Sequence, residues 1–447
     1  MADQMMGVHR DTFAGKHVTV MGLGLLGRGV NDVRYLAENG ARLTVTDLKT
    51  AEELAPSLAA LAAYPEISYV LGEHRLEDFR SADFVLKAAG VPLDSPFVAE
   101  ARRHGVPVEM DEALFARLSG ATIVGVTGTR GKTTTALLLH AMLERAGANP
   151  RLGGNIRALA TLPLLDEVRP GDLVVLELSS WQLQGFGDAQ LSPHVAVFTN
   201  FMPDHMNYYG GDMDRYFADK AHIYRHQGEG DVLVAGPQVA ALIEHDEHRA
   251  TLHIASAAQI PDDWRLLVPG EHNRANVALA TEAALALGAS DDDVRGAAEA
   301  FTGAPERLEL VREVGGVAYV DDTTSTIPEA TLAAIDALAG REIVLIGGGV
   351  DKGLDYSALA GAIAERTKAA VLLEGTATDK LVGHLGGRAA HVSTASGMRE
   401  AFDLAAGLAA AGDVVLLSPG AASFGLFRNE FDRGEQFVEL VHALTDP

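Results

Sequence analysis

No cysteine occurs among the 447 residues, which excludes disulfides, thiolate metal sites and thioester chemistry at once and fits an intracellular setting. No apolar run approaches the length of a membrane span. Met1-Ala-Asp-Gln4 opens the chain without a basic segment leading into an apolar one, so neither insertion nor export is expected. The expectation is a soluble, cytoplasmic chain. Basic side chains are scarce as well: 36 against 61 acidic ones give a net charge of −25, which argues against nucleic acid or an anionic membrane as partner. Phosphate binding, if present, must be local, and most of the carboxylates form a solvated surface.

What is present is apolar material for packed cores, 47% of the residues, in a chain whose length suggests about three domains. The most informative stretch is Ile123-Val-Gly-Val-Thr-Gly-Thr-Arg-Gly-Lys-Thr-Thr-Thr135, a β-branched strand, a glycine-rich turn and then a helix over 136–145. Gly128 and Gly131 allow backbone N–H groups to face phosphate oxygens, Lys132 adds a cation, and the Thr133 hydroxyl suits Mg²⁺. Val126 stands where the strict loop pattern has its first glycine, so this is a shortened variant.

Upstream, a strand from Lys16 runs into Gly22-Leu23-Gly24-Leu25-Leu-Gly27 and a helix to Glu38; a second strand over 42–46 ends at Asp47. This is the dinucleotide-binding fingerprint, with an acid placed to accept from a ribose hydroxyl. The same turn cradles any diphosphate, so a nicotinamide oxidoreductase or a nucleotide sensor stays open here. Strands at 67–71, 84–88 and 106–109 complete an open α/β unit, and its strand ends nominate the Lys87–Gly90 loop.

The second unit continues with Gly153-Gly-Asn155, read as a turn, and the apolar run 172–177, whose end places Glu177 beside the phosphates. A strand over 195–199 leads to Asn200, Asp204 and His205, and a helix over 213–226 carries Lys220. In the third unit, strands at 317–320, 342–346, 369–373 and 413–417 alternate with helices, implying a largely parallel sheet. The fold class expected is α/β, as three consecutive domains: 1–111, Rossmann-like; 112–303, a phosphate-loop ATPase-like centre; and 304–447, again Rossmann-like.

Thr127-Gly-Thr-Arg-Gly-Lys-Thr-Thr134, Gly153-Gly-Asn155, Glu177-Leu-Ser-Ser180, Asn200-x-x-x-Asp204-His205, Lys220, His272-Asn273-x-x-Asn276, Arg307, Asp322, Lys352 and Ser418-Pro-x-x-x-Ser423 together resemble the Mur ligases. These are the ATP-dependent enzymes of peptidoglycan precursor synthesis, and within them the chain is most similar to those adding glutamate to UDP-N-acetylmuramoyl-L-alanine. The resemblance spans nearly the whole chain. It implies that Gly22, Leu23, Gly24, Leu25, Gly27, Asp47, Gly90 and Asn155 hold the UDP substrate. It implies that Gly128, Thr129, Arg130, Gly131, Lys132, Thr133, Thr134, Asn273, Asn276, Arg307 and Asp322 hold ATP. Thr326, Lys352 and Ser423 would receive the glutamate.

By the same resemblance Lys132, Glu177, His205 and Lys220 are catalytic, and Thr133, Glu177, His205 and a carbamylated Lys220 hold Mg²⁺. Its partners would be the small-molecule substrates, and the chain a monomer. A related amide ligase using L-glutamate or another amino acid is the alternative in the same class. The chain departs from the resemblance where relatives carry Asp-Ser-Lys-Ala-Thr-Asn: here Asp322-Thr-Thr-Ser-Thr-Ile327 lacks the lysine and the asparagine. Arg130 replaces a more usual asparagine or lysine, and Glu430 replaces an aromatic.

Overall fold

The computed structural model describes residues 11–445 except 26, 158, 245, 389 and 390. The opening Met1–Gln4 segment and Leu26 of the first glycine turn therefore lie outside the described residues. Three sheets follow one another along the chain.

The first sheet holds β1 (His17–Met21), β2 (Arg42–Asp47), β3 (Ser68–Leu71), β4 (Phe84–Lys87) and β5 (Val108–Glu109), in the order β3-β2-β1-β4-β5. The second holds β6 (Thr122–Thr127), β7 (Arg151–Gly154), β8 (Leu173–Glu177), β9 (Val195–Phe198), β10 (Val232–Ala235) and β11 (Thr251–Ile254), ordered β11-β10-β9-β6-β8-β7. The pairings of both are parallel, with Val18 opposite Leu43 and Val124 opposite Val174's neighbour Val175. Parallel strands need cover on both faces, which is why β8, β9 and β10 are nearly continuous apolar runs and why β9 is buried at every position.

The third sheet contains β12 (Glu309–Val314), β13 (Val317–Asp321), β14 (Ile343–Gly348), β15 (Ala369–Leu373), β16 (Val392–Ala395) and β17 (Val414–Leu417), ordered β12-β13-β17-β14-β15-β16. Its edge strand β12 runs antiparallel to β13, joined by the Gly315-Gly316 turn in which both glycines take positive φ. The rest is parallel, as the alternation of strands and helices implies.

Several local expectations are corrected. Gly153 and Gly154 belong to strand β7 rather than to a turn, because they pair with Leu176 and Glu177 on β8. The helix bearing Lys220 stops at Ala221, five residues short of the expected end. The helix after the phosphate loop begins at Lys132 itself, with Gly131 in the left-handed region as its cap. Strands β7, β10, β11, β12 and β16 were not expected at all; each is an edge strand or a neighbour of one.

The topology decides where ligands can sit. In each sheet the strand order reverses once: between β1 and β4, between β6 and β9, and around β17, which inserts between β13 and β14. Loops leaving the carboxyl ends of such strands diverge and open a crevice. All three crevices face one cleft of about 2430 Å³.

Candidate active site

The phosphate loop leaves β6 at the reversal in the second sheet. Gly128 has φ 145 and Gly131 φ 81; a Cβ on the first would overlap Thr199 Oγ1 and on the second Asn276 Oδ1, so only glycine fits either place. Lys132 folds back, donating to the carbonyls of Gly128 at 3.2 Å and Thr129 at 3.1 Å. Its ammonium is thus held by the carbonyls of its own loop. Burial lowers its pKa from the ordinary lysine value.

Beside it, Thr133 Oγ1 donates to Glu177 Oε2 at 2.5 Å, and Asn155 Nδ2 donates to Glu177 Oε1 at 3.2 Å. The threonine comes from the helix Lys132–Arg145, the glutamate from the end of β8 and the asparagine from the end of β7. A hydroxyl and a carboxylate side by side at a phosphate loop are the oxygen donors that Mg²⁺ takes. Lys220 lies on the far side, 1% exposed, its Nζ donating to the Gly128 carbonyl at 2.8 Å and lying 5.0 Å from the ring centre of Tyr216. Burial, reinforced by the charge of Lys132, holds its pKa well below 10.5. As an amine it does not fit a cation site; as an oxygen-bearing carbamate it does.

His205 adopts φ 55, an unusual backbone for a side chain with a Cβ, and packs 4.7 Å from Trp181, ring centre to ring centre. Burial pushes its pKa down to about 4, so the imidazole is neutral near pH 7. The adjacent Asp204 is the reverse case. Burial alone would raise its pKa, but Arg130 and Lys352 outweigh that and hold it well below the ordinary carboxylate range.

The remaining expected residues fall along the same cleft, with different degrees of engagement. In the first sheet Gly22, Leu23, Gly24, Leu25 and Gly90 line it, whereas Gly27 caps the helix Arg28–Glu38 and does not line it. Asp47 Oδ2 accepts from the N–H groups of Leu23 at 2.9 Å and Gly24 at 3.1 Å, so it shapes the glycine turn from within. Asn276, 5% exposed, donates to Asn273 Oδ1 at 3.3 Å under the phosphate loop. Thr134 and Arg307 line the cleft too.

In the third sheet, Thr326 follows β13, Lys352 follows β14 and Ser423 follows β17, so three adjacent strand ends deliver the three expected amino-acid contacts to one place. Asp322 is turned inward. It accepts from Ser325 Oγ at 2.5 Å, Ser418 Oγ at 2.7 Å and the Leu308 N–H at 3.2 Å, and burial pushes its pKa up to about 6.

The altered 322–326 loop also has a physical account. Thr323 donates to the Glu430 carbonyl at 2.9 Å and receives Arg433 Nε at 3.1 Å, while Thr324 donates to the Glu306 carbonyl at 3.0 Å. Where relatives place a lysine, this chain places a hydroxyl that ties the loop to the interdomain segment. The aromatic missing at Glu430 has a neighbour in Phe431, which also lines the cleft.

Two residues were not singled out from the sequence. Arg28 Nη2 donates to Asn155 Oδ1 at 3.2 Å, linking the first sheet's helix to the ligand of Glu177. Around it lie Asp32, Asp111 and Glu112, all buried; burial raises Asp32 and Glu112 well above the ordinary carboxylate range. A cation in the first turn of a helix opposes the macrodipole, and that was the available signal. Arg157, ion-paired with Glu306 and Glu435 across to the third sheet, offered none.

The sequence matches three family models in succession: "Mur ligase MurD-like, N-terminal domain" over residues 16–109, "Mur ligase middle domain" over 126–246, and "Mur ligase, glutamate ligase domain" over 306–420. It is 43% identical to a UDP-N-acetylmuramoylalanine–D-glutamate ligase of Roseiflexus sp. (strain RS-1), covering 97% of this chain and 99% of that one. A protein of the same name from Treponema pallidum (strain Nichols) is 35% identical, covering 98% and 99%. Among solved structures, a UDP-N-acetylmuramate-alanine ligase from Thermotoga maritima superposes with a TM-score of 0.63 at 20% identity, covering 96% of this chain and 99% of that chain. A MurF ligase from the same organism in complex with ADP gives 0.60 at 18% identity, with coverages of 96% and 95%. These two likenesses are of fold.

Proposed function

The chain belongs to the Mur ligases, and from that membership we propose that it joins D-glutamate to UDP-N-acetylmuramoyl-L-alanine, converting ATP to ADP and phosphate, in peptidoglycan precursor synthesis. The observation that carries this reading is the convergence of three strand-reversal crevices on one cleft, with the phosphate loop between the glycine turn of the first sheet and the Thr326, Lys352, Ser423 triplet of the third. The relatives named for this reaction match along nearly the whole chain.

The order of sites follows the order of the chemistry. A carboxylate is a poor acyl donor, so the alanyl carboxylate oxygen first attacks the γ-phosphorus of ATP and ADP leaves. The glutamate amine then attacks the resulting acyl phosphate, loses a proton, and the tetrahedral intermediate expels phosphate. Positioning and charge neutralisation do most of this. Gly22, Leu23, Gly24 and Leu25 of the glycine turn, with Asp47 and Gly90, hold the uridine diphosphate, which replaces the nicotinamide reading of that turn. Lys132 swings from its own loop carbonyls onto the β- and γ-phosphates.

Thr133 and Glu177 would hold one Mg²⁺, and His205 with a carbamylated Lys220 a second, since a neutral imidazole and oxygen anions suit it; when bound, the ions neutralise phosphate charge. An uncharged amine is the form of lysine that takes up carbon dioxide, and the burial of Lys220 favours that form. The division at 111/112 and 303/304 then separates sugar-nucleotide, ATP and amino-acid binding. The chain works as a cytoplasmic monomer, with the whole cleft built from one copy.

The test is phosphate release with ATP and UDP-N-acetylmuramoyl-L-alanine while D-glutamate, L-glutamate and other amino acids are supplied in turn. Release with D-glutamate alone supports the reading. Release with another amino acid keeps the ligase chemistry and moves the specificity to the 323–327 loop and Glu430. No release with any of them overturns it.

A further inference from the structure

The phosphate-loop arginine reaches to the third sheet. Its backbone is pinned on both sides: the Arg130 N–H donates to Asn200 Oδ1 at 2.9 Å, and its carbonyl accepts from Thr199 Oγ1 at 2.5 Å and Asn200 Nδ2 at 3.1 Å. With the main chain so fixed, the guanidinium is carried across the cleft to the third sheet. There Nη2 donates to Thr326 Oγ1 at 3.1 Å and lies 3.4 Å from Asp204 Oδ2. Lys352 reaches the same two groups, Thr326 Oγ1 at 3.1 Å and Asp204 Oδ1 at 3.0 Å. Two cations from two domains thus converge on one hydroxyl while sharing, among the described residues, a single carboxylate within ion-pair distance. Arg130 Nε is buried and has no hydrogen-bond partner among the described residues. A guanidinium edge with a spare buried donor, next to an ammonium and a hydroxyl, is suited to a carboxylate.

We propose that Arg130 binds the α-carboxylate of the incoming amino acid together with Lys352, rather than ATP. This rests on the ligase reading above and assigns within it which end of the amino acid meets the phosphate loop. The attacking amine and the α-carboxylate share one carbon, and the acyl phosphate that the amine must reach lies over the phosphate loop. The carboxylate nearest a cation of that loop is therefore the α one, which leaves the side-chain carboxylate for groups deeper in the third domain such as Ser423. Because Arg130 and Lys352 belong to different domains, the amino acid bridges them, and its capture and domain closure become one event.

The experiment is steady-state phosphate release at saturating ATP and UDP-N-acetylmuramoyl-L-alanine, with D-glutamate, D-isoglutamine (the α-amide) and D-glutamine (the side-chain amide) as acceptors. Wild type, Arg130→Ala and Arg130→Lys are compared, with thermal melts checking that each is folded; Arg130→Gln replaces the alanine variant if that one is not. Loss of charge-assisted hydrogen bonds predicts a rise in KM for D-glutamate of about tenfold to a hundredfold in Arg130→Ala, partly restored in Arg130→Lys, with KM for ATP changed less than about threefold. The wild-type preference for D-glutamate over D-isoglutamine should shrink by about tenfold in Arg130→Ala, while the preference over D-glutamine stays. A rise in KM for ATP with that for glutamate unchanged, or an equal loss on all three acceptors, overturns the assignment. Wild-type enzyme that is inactive with D-glutamate instead overturns the ligase reading itself.

Discussion

The junction between the first and second sheets and the junction between the second and third are built from opposite materials. At the first, an apolar core runs without a break from one domain to the next: Phe13, Leu36 and Leu43 belong to the same cluster as Phe115, Leu162, Leu165 and Phe198. The short helical segment Leu162–Asp166 packs on the helix Arg28–Glu38, and Tyr35 donates to Asp166 at 3.4 Å. At the second junction the third sheet keeps two apolar clusters of its own. Contact there includes Lys352 with Asp204 at 3.0 Å, Arg130 with Thr326 at 3.1 Å, and Arg157, which pairs with Glu306 and Glu435 and lies 4.7 Å from the ring of Phe431. Apolar burial is lost at large cost when an interface opens, whereas partly exposed ion pairs exchange with water at little cost. The first and second sheets are therefore held in fixed relation, and the third sheet is joined to them by contacts that open at little cost.

The largest effect should come from the point that both junctions serve. Lys132→Ala is expected to lower phosphate release by about a thousandfold or more while the melting temperature stays nearly unchanged, because it removes transition-state charge at a loop and no packing. Retained turnover would dislodge the phosphate loop from the reaction.

Next comes the apolar junction. Leu162 is fully buried, and Leu162→Ala should cost about 2–5 kcal/mol in denaturant unfolding, with the first two domains still unfolding together. A cost below about 1 kcal/mol would mean that this core does not weld them.

A pH series, read through an Asp321 variant, probes the third domain. Asp321 is pushed up to about 7 and Asp322 to about 6, chiefly by burial. Carboxyls that bind a proton more tightly folded than unfolded stabilise the fold fully below their ordinary value near 3.8 and lose that contribution as pH rises through 6 and 7. Melts recorded from pH 4 to pH 8 should show this domain weakening across that window, and Asp321→Asn should flatten the slope. An unchanged slope in that variant would assign the titration to other groups.

The smallest effect belongs to the polar junction. Arg157→Ala removes partly exposed ion pairs worth about 1 kcal/mol or less each, so KM for D-glutamate should rise only about twofold to fivefold. The difference from wild type should narrow in high salt, which screens such pairs. A salt-independent loss of several kcal/mol would erase the contrast between the two junctions.

What could be read in advance was what depends on neighbours in the chain. The phosphate loop is contiguous: its strand, its two glycines, Lys132 and the following helix stand within about a dozen residues, and the backbone conformation each needs is a property of its own residue type. The same holds for the Gly22–Gly27 turn. Short edge strands were missed, since β7 contains two glycines and β12 is interrupted by a register shift between Leu310 and Arg312; neither has the apolar run that announces a buried parallel strand.

The contacts made by the long charged side chains of Arg28, Arg130 and Arg157 were illegible for a different reason. Arg28 meets Asn155 across 127 positions and Arg130 meets Thr326 across 196. The sequence by itself determined the three α/β units, the phosphate loop and the types of residue that chemistry at a carboxylate requires. Only the tertiary structure decided which of them meet, because that depends on where each strand order reverses and how three separate crevices are turned toward one cleft.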